Sequence, residues 1–362
     1  MDKTIHPALD GLRAMAVTIV LIAHTHLALL PSGAVGVDIF FVLSGFLITT
    51  VLSAEMGQRG TLSTRNFYIR RILRLAPCLI LATAVFAVLA RIETGSWPLM
   101  QLAIALTHTS NWARALYDAP LGAIDHYWSL AIEEQYYLVW PLIVLWLERS
   151  MRDTTRKGLV LVACALALAL YRAVMVGTYS PERIYFGLDT HMDGLVLGSG
   201  LSYLVKSGIY RRSAMLNGKA LALLVVPACI VLLLILCYVN WRSPWMGRFG
   251  FAAAAVAAAL IVYDLVAGPA SWLRSPLSLP PVTYIGRISY GLYLFHMPLF
   301  QAVDYALPDT SLRLRAPFKI ILAVAVASAS YYGVERRFLK LKQRFAPRAR
   351  SDDAADSLRA RA

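Results

Sequence analysis

The sequence predicts an all-α, polytopic membrane protein with about ten transmembrane helices and both termini cytoplasmic, and three observations predict it. Of 362 residues, 58% are hydrophobic and only 15% charged, against roughly 25% charged in an ordinary soluble domain. Long stretches are apolar on every face, such as residues 221–238 (LALLVVPACIVLLLILCY) and 251–262 (FAAAAVAAALIV); a bilayer-spanning helix needs about 20 mostly apolar residues. The basic residues, finally, collect in alternate loops. A soluble enzyme, a disordered chain and a secreted disulfide scaffold are excluded.

Taken in order, the expected crossings are 12–30, 35–53, 75–90, 129–147, 159–176, 188–205, 220–239, 249–267, 284–302 and 318–334. The apolar stretch 98–106 is too short for a span and leads into the polar THTSNWAR, so it reads as a re-entrant or interfacial piece of a long loop, 91–128. With ten crossings and the N-terminus inside, 26 of the 35 Lys and Arg fall on the cytoplasmic side and 9 on the other, as the positive-inside rule requires. The net charge of +14 is thus mostly orientation, and no nucleic-acid partner is expected. Residues 5–340 form one membrane domain; 341–362 read as a disordered basic cytoplasmic tail with affinity for anionic headgroups. Arg13 and His24 interrupt the first apolar stretch, so no cleavable signal peptide is expected. The cysteines, Cys78, Cys164, Cys229 and Cys237, lie in apolar segments without a CxxC pair and are expected to be buried free thiols.

Ionisable groups inside a span are expensive and mark cavities or partners. Arg13 and His24 stand eleven residues apart, which returns the helix to within about 20° of the same face and separates them by about 16 Å. With Arg13 at the inner boundary, His24 is expected about half-way through the bilayer, suited to act as base, nucleophile or proton relay. His26 points away from that face. At the inner end, Arg65, Arg70, Arg71 and Arg74 form a basic cluster; Arg71 and Arg74, one turn apart, suit a bidentate grip on phosphate, though simple membrane anchoring explains them equally. From the outer side, DHYWSLAIEEQ (125–135) carries Glu133 and Glu134 into the fourth span. At least one should line a cavity, while the other sits at headgroup level. Asp189, His191 and Asp193 open the sixth span, but their spacing leaves His191 off the shared face, against a metal site. Arg287 and Ser289 lie at the inner boundary of GRISYGLYLFHMPL with His296 about 13 Å deeper, where functional and packing roles remain equally open. Glu335 reads as a helix-end salt bridge to Arg336 or Arg337. By depth, basic groups gather inside, a His lies midway, and carboxylates with Trp128 mark the outer end.

Seven segments together resemble the acyltransferase-3 family of bacterial integral-membrane acyltransferases that O-acylate surface glycans: LDGLRAMAVTIVLIAH (9–24), GVDIFFVLSGFLIT (36–49), FYIRRILRLAP (67–77), HYWSLAIEEQYYLVWP (126–141), DTHMDGLVLG (189–198), GRISYGLYLFHMPL (286–299) and SYYGVERR (330–337). They occur in family order across nearly the whole chain. The resemblance implies an inner-membrane enzyme that takes its acyl group, with acetyl expected, from cytoplasmic acyl-CoA and passes it to a glycan or glycolipid hydroxyl, with no tightly bound cofactor and no metal. It implies that Arg13 and His24 are the essential pair, and that the Arg-x-x-Arg element falls on Arg71 and Arg74. The WSLxxEEQ element falls on Trp128, Ser129, Glu133, Glu134 and Gln135. The resulting expectation has His24, Arg13, Glu133 and Glu134 in catalysis and Arg70, Arg71, Arg74 and Arg287 on acyl-CoA. Asp38, Trp128, Ser129, Gln135, Asp193 and His296 are assigned to the substrate. Two departures, Arg337 where the family commonly has Pro and the THMD sequence before Gly194, leave acceptor specificity open. A secondary transporter with His24 in a proton relay is the competing class, but no paired broken helices occur in corresponding halves.

Overall fold

The computed structural model describes residues 7–25, 30–209, 219–268 and 271–345. Every regular element among them is helical. The long helices are α1 (Pro7–His24), α2 (Ala34–Arg59), α3 (Thr64–Thr94), α6 (Trp128–Ser150), α7 (Thr154–Met175), α10 (Asp193–Ser207), α11 (Lys219–Tyr238), α12 (Phe251–Ala267), α14 (Pro280–Ala306) and α15 (Leu312–Ser330). Short helices join them: α4 (Leu99–Leu106), α5 (Ser110–Tyr117), α8 (Pro181–Phe186), α9 (Leu188–His191), α13 (Arg274–Leu277) and α16 (Arg336–Lys342). A helix occupies the body of each expected span. Among the described residues, six helical stretches are long and apolar enough to cross a membrane: Pro7–His24, Ala34–Arg59, Thr64–Thr94, Gly122–Ser150, Thr154–Met175 and Met246–Ala267. The chain is a multi-pass membrane protein.

Local signals start and stop these helices. Ser63 caps α3 by accepting from the Asn66 amide, and Asp153 caps α7 through the Thr155 and Arg156 amides. The outer surface is apolar: α3 exposes Ile72, Ile80, Val88 and Ile92, and α6 exposes Leu138, Leu142 and Trp146, a stripe that hydrocarbon tolerates and water does not. Inside, backbones approach closely. Gly45 of α2 faces the Leu195 carbonyl of α10, and Gly198 of α10 faces the Val42 carbonyl of α2. A Cβ at either position would overlap the opposite backbone, so these glycines set the helix spacing.

Buried charge is paired. Arg172 of α7, fully buried, reaches Asp193 at 2.5 Å and the carbonyls of Thr190 and Gly247. Lys319 of α15 reaches Asp304 of α14 at 2.6 Å. Glu335 differs from its expected role. It is buried in a π-helical turn, Tyr331–Glu335, and accepts from the Ser330 hydroxyl instead of pairing with Arg336 or Arg337.

Residues 99–117 fold back on themselves. Two eight-residue helices, α4 and α5, each about 12 Å long, meet at a tight turn in which His108 takes a left-handed conformation (φ 52°). Gln135 clasps that turn, donating to the His108 carbonyl at 2.8 Å and to Asn111 Oδ1 at 2.9 Å, while its own Oε1 accepts from Trp112. Because Gln135 lies two turns into α6, the hairpin tip reaches inward beside that helix.

Two further expectations change. Residues 341–345 are not disordered tail: they finish α16 and a 3-10 turn whose Phe345 carbonyl accepts from Arg70 at 2.8 Å. The rest of the tail, and His26, lie outside the described residues. Cys78 is buried, but Cys164 is exposed on the surface of α7, where the surrounding stripe faces outward.

Candidate active site

Helices α1, α2, α3, α6 and α14 enclose a cavity of about 430 Å³. Helical periodicity explains its polar lining. Arg71 and Arg74 are three residues apart on α3 and share a face, whereas Arg70 is turned by about 100°. Arg70 therefore leaves the cavity, pairs with Glu55 at 2.8 Å and holds Phe345. On α6, Ser129, Glu133 and Tyr137 form one stripe and Leu130 with Glu134 the next, so the two adjacent carboxylates both reach the cavity. The expected split between one cavity-lining carboxylate and one outside it is not seen: both carboxylates share one chamber with Arg13, Arg71 and Arg74.

Within it, Arg71 Nη2 donates to Glu134 Oε1 at 2.8 Å, and its guanidinium lies 3.4 Å above the Tyr137 ring. Ser44 donates to Glu133 at 3.0 Å. Arg13 and Arg74 line the same cavity, and neither has an ion-pair partner among the described residues. Asp10 completes the charged lining. The α2 wall is apolar, built by Phe40, Leu43, Leu47 and Ile48.

Ser129 and Tyr293 also line the cavity, and their hydroxyls are 2.6 Å apart. Tyr293 also donates to the His126 carbonyl at 2.8 Å. Beyond this pair lie three histidine rings. His24 and His296 have centroids 5.1 Å apart, and His296 and His126 4.4 Å. His24 is the last residue of α1. Its ring bonds back to the Val20 carbonyl at 2.8 Å, and the Thr25 hydroxyl donates to the Ile22 carbonyl. Since a carbonyl only accepts, Nδ1 carries the hydrogen and Nε2 the lone pair in the neutral ring.

The other expected residues lie elsewhere. Asp38 is buried against His191 at 3.1 Å, and His191 in turn bonds the Tyr185 carbonyl. Trp128 is buried and stacks on His191 with centroids 5.6 Å apart. Asp193 is held by Arg172, Asp189 by Arg183, and Gln135 by the α4–α5 turn. Arg287 is exposed over Tyr284 and does not line the cavity, although Ser289 and Tyr290 do. Among the described residues no three His, Cys, Asp or Glu side chains converge as metal ligands. Sequence reasoning missed His126 and Arg172. His126 lies within the DHYW segment but in a 3-10 turn, Gly122–Tyr127, where helical periodicity cannot place it; Arg172 falls within the expected crossing 159–176, and its partner Asp193 is distant in sequence.

A family model described as an acyltransferase domain matches residues 6–332. Peptidoglycan O-acetyltransferase OatA of Listeria monocytogenes is 29% identical over 344 residues, covering 91% of this chain and 55% of its own length. Putative peptidoglycan O-acetyltransferase YrhL of Bacillus subtilis is 32% identical over 345 residues, covering 91% and 54%. A putative O-acetyltransferase of Staphylococcus aureus is 30% identical over 348 residues, covering 92% and 57%. The chain spans a little over half the length of these curated relatives. No solved structure matches it.

Proposed function

The chain belongs to the acyltransferase-3 family, and from that premise we propose that it is a membrane O-acetyltransferase moving an acetyl group from cytoplasmic acyl-CoA to a hydroxyl of a cell-envelope glycan. The observation that carries this reading is the pairing of two guanidiniums without ion-pair partners, Arg13 and Arg74, with a cavity lined by Ser129 and Tyr293, whose ring neighbours His296 and through it His24. The likeness to a peptidoglycan O-acetyltransferase of Listeria monocytogenes and a putative one of Bacillus subtilis supports a glycan acceptor.

The donor enters from the side on which the 26-to-9 charge distribution puts the termini, with ten crossings and the cytoplasm inside. Arg13 and Arg74 hold its phosphates. Arg71, already paired with Glu134 and stacked on Tyr137, shapes the wall. The acyl-bearing arm runs along the apolar α2 face towards Ser129 and Tyr293, covering much of the ~16 Å rise between Arg13 and His24. His24 Nε2 takes the proton of the acceptor hydroxyl. The freed oxygen attacks the thioester carbonyl, the C–S bond breaks, and the thiolate leaves with the proton as free thiol.

Calorimetry on the full chain in nanodiscs tests the reading. Acetyl-CoA should bind, and Arg74→Gln should weaken binding at least tenfold. Absence of binding by folded protein would favour a transporter or scaffold.

A further inference from the structure

Two buried histidines beside His24 have a chemistry that packing does not explain. His126 is 4% exposed and His296 fully buried, yet both ring nitrogens of His126 and Nε2 of His296 lack a hydrogen-bond partner. Burying an imidazole nitrogen unpaired is unfavourable, and such orphans call for a reason. His191 of the same protein provides the contrast: a structural histidine with both nitrogens bonded, to the Tyr185 carbonyl at 2.7 Å and to Asp38 at 3.1 Å.

The tautomers sharpen the point. His296 Nδ1 lies 2.7 Å from the Tyr293 carbonyl, so in the neutral ring its Nε2 is an acceptor, as is that of His24. In the neutral state the orphaned Nε2 of His296 has no hydrogen to donate to a neighbouring ring. One added proton gives the rings a donor, because an imidazolium N–H bonds well to a neighbouring imidazole. His126, with two open nitrogens and its centroid 4.4 Å from His296, extends the same system.

We propose that His126 and His296 share with His24 the proton taken from the acceptor hydroxyl, holding it until the departing thiolate reclaims it. This rests on the acyl-transfer reading above and deepens it. In the complete step the acceptor O–H and the thioester C–S bonds break, an O–C bond and an S–H bond form, and the proton passes from acceptor oxygen to the trio to sulfur. Tyr293 ties the trio to the cavity: its ring is 5.2 Å from His126, and its hydroxyl meets Ser129 in the cavity lining. The remaining titratable groups around the rings are Tyr127 from the 3-10 turn and Tyr293 from α14. Glu133 acts from the cavity side, and Asp125, next to His126 in the chain, is paired with Arg114. His126 and His296 act through His24 and are positioning residues in this scheme.

The test is thiol release from acetyl-CoA by the full chain in nanodiscs, with chitotetraose as the acceptor probe, across pH 5–9. His126→Gln and His296→Gln should each lower kcat about 10- to 100-fold, with KM for acetyl-CoA changed less than twofold. The acid limb of the pH profile should move to lower pH by about one unit, because His24 loses a partner for its charged form. The double variant should be no worse than the poorer single one. Should one variant not fold, the other decides, since both interrupt one shared site. Unchanged kcat and pH profile in a folded variant, with His24→Ala inactive, would overturn the shared proton and leave the base assignment standing. Full turnover by His24→Ala would overturn the underlying reading instead.

Discussion

Arg71 of α3 donates to Glu134 of α6 at 2.8 Å, and this one pair divides the cavity's arginines by role. Arg71 is committed to the wall, and Arg13 and Arg74 remain to bind an anion. The division is measurable. Glu134→Gln removes a negative charge without touching Arg74, so acetyl-CoA affinity should hold or rise, whereas Arg74→Gln should lower it tenfold or more. Equal losses in both variants would place Arg71 and Arg74 in one phosphate grip.

Lys342 of α16, coupled by charge to Arg74, should give the proposed acetyl-CoA binding a pH dependence. Burial, then the like charges of Arg74, Arg70 and Arg71, lower its ammonium to about 8. An anion favours the charged form, so affinity should be full below pH 7 and weaken as pH rises through 8. For the folded state the sign is opposite: with the pKa below that of the unfolded chain, keeping the ammonium charged opposes folding, and stability rises between pH 8 and the ordinary lysine range. Lys342→Arg, charged throughout, should remove the pH dependence of binding; calorimetry at pH 7 and 9 reads it directly.

The interior ion pair predicts a stability pattern. Arg172→Met leaves Asp193 charged and alone in the bundle and should cost about 3–5 kcal/mol, while adding Asp193→Leu should restore most of it. Thermal unfolding in detergent distinguishes this from a loss that accumulates with each substitution.

How much of this was legible in the sequence depends on periodicity. Arg71 and Arg74 share a face because three residues is nearly one turn, and that was readable. The same arithmetic puts Glu133 and Glu134 on neighbouring stripes facing one cavity; depth along α6 alone puts them at its outer end, because the register that brings Arg71 of α3 to Glu134 is set by contacts between the two helices. The expected first span runs to residue 30 through the apolar residues 27–30, whereas α1 spans Pro7–His24. His126 and the Arg172–Asp193 pair depend on contacts between segments distant in sequence, which no local pattern encodes.

Gln135 predicts the behaviour of the α4–α5 hairpin. It makes three of the hydrogen bonds that fix the turn, so Gln135→Leu should free it. A cysteine introduced at Thr109 should react with a membrane-impermeant maleimide from outside intact cells, several-fold faster in the Gln135→Leu background. Labelling only after permeabilisation would put the hairpin on the opposite side.

Vectorial acyl transfer is most directly measured in sealed proteoliposomes with the chain in a known orientation, acetyl-CoA labelled in the acetyl group on the side of Arg74, and chitotetraose on the other. Acyl transfer as proposed yields labelled O-acetyl chitotetraose across the membrane and free thiol on the donor side, both abolished by His24→Ala. Intact thioester with no labelled glycan, from protein shown to be folded, would contradict it.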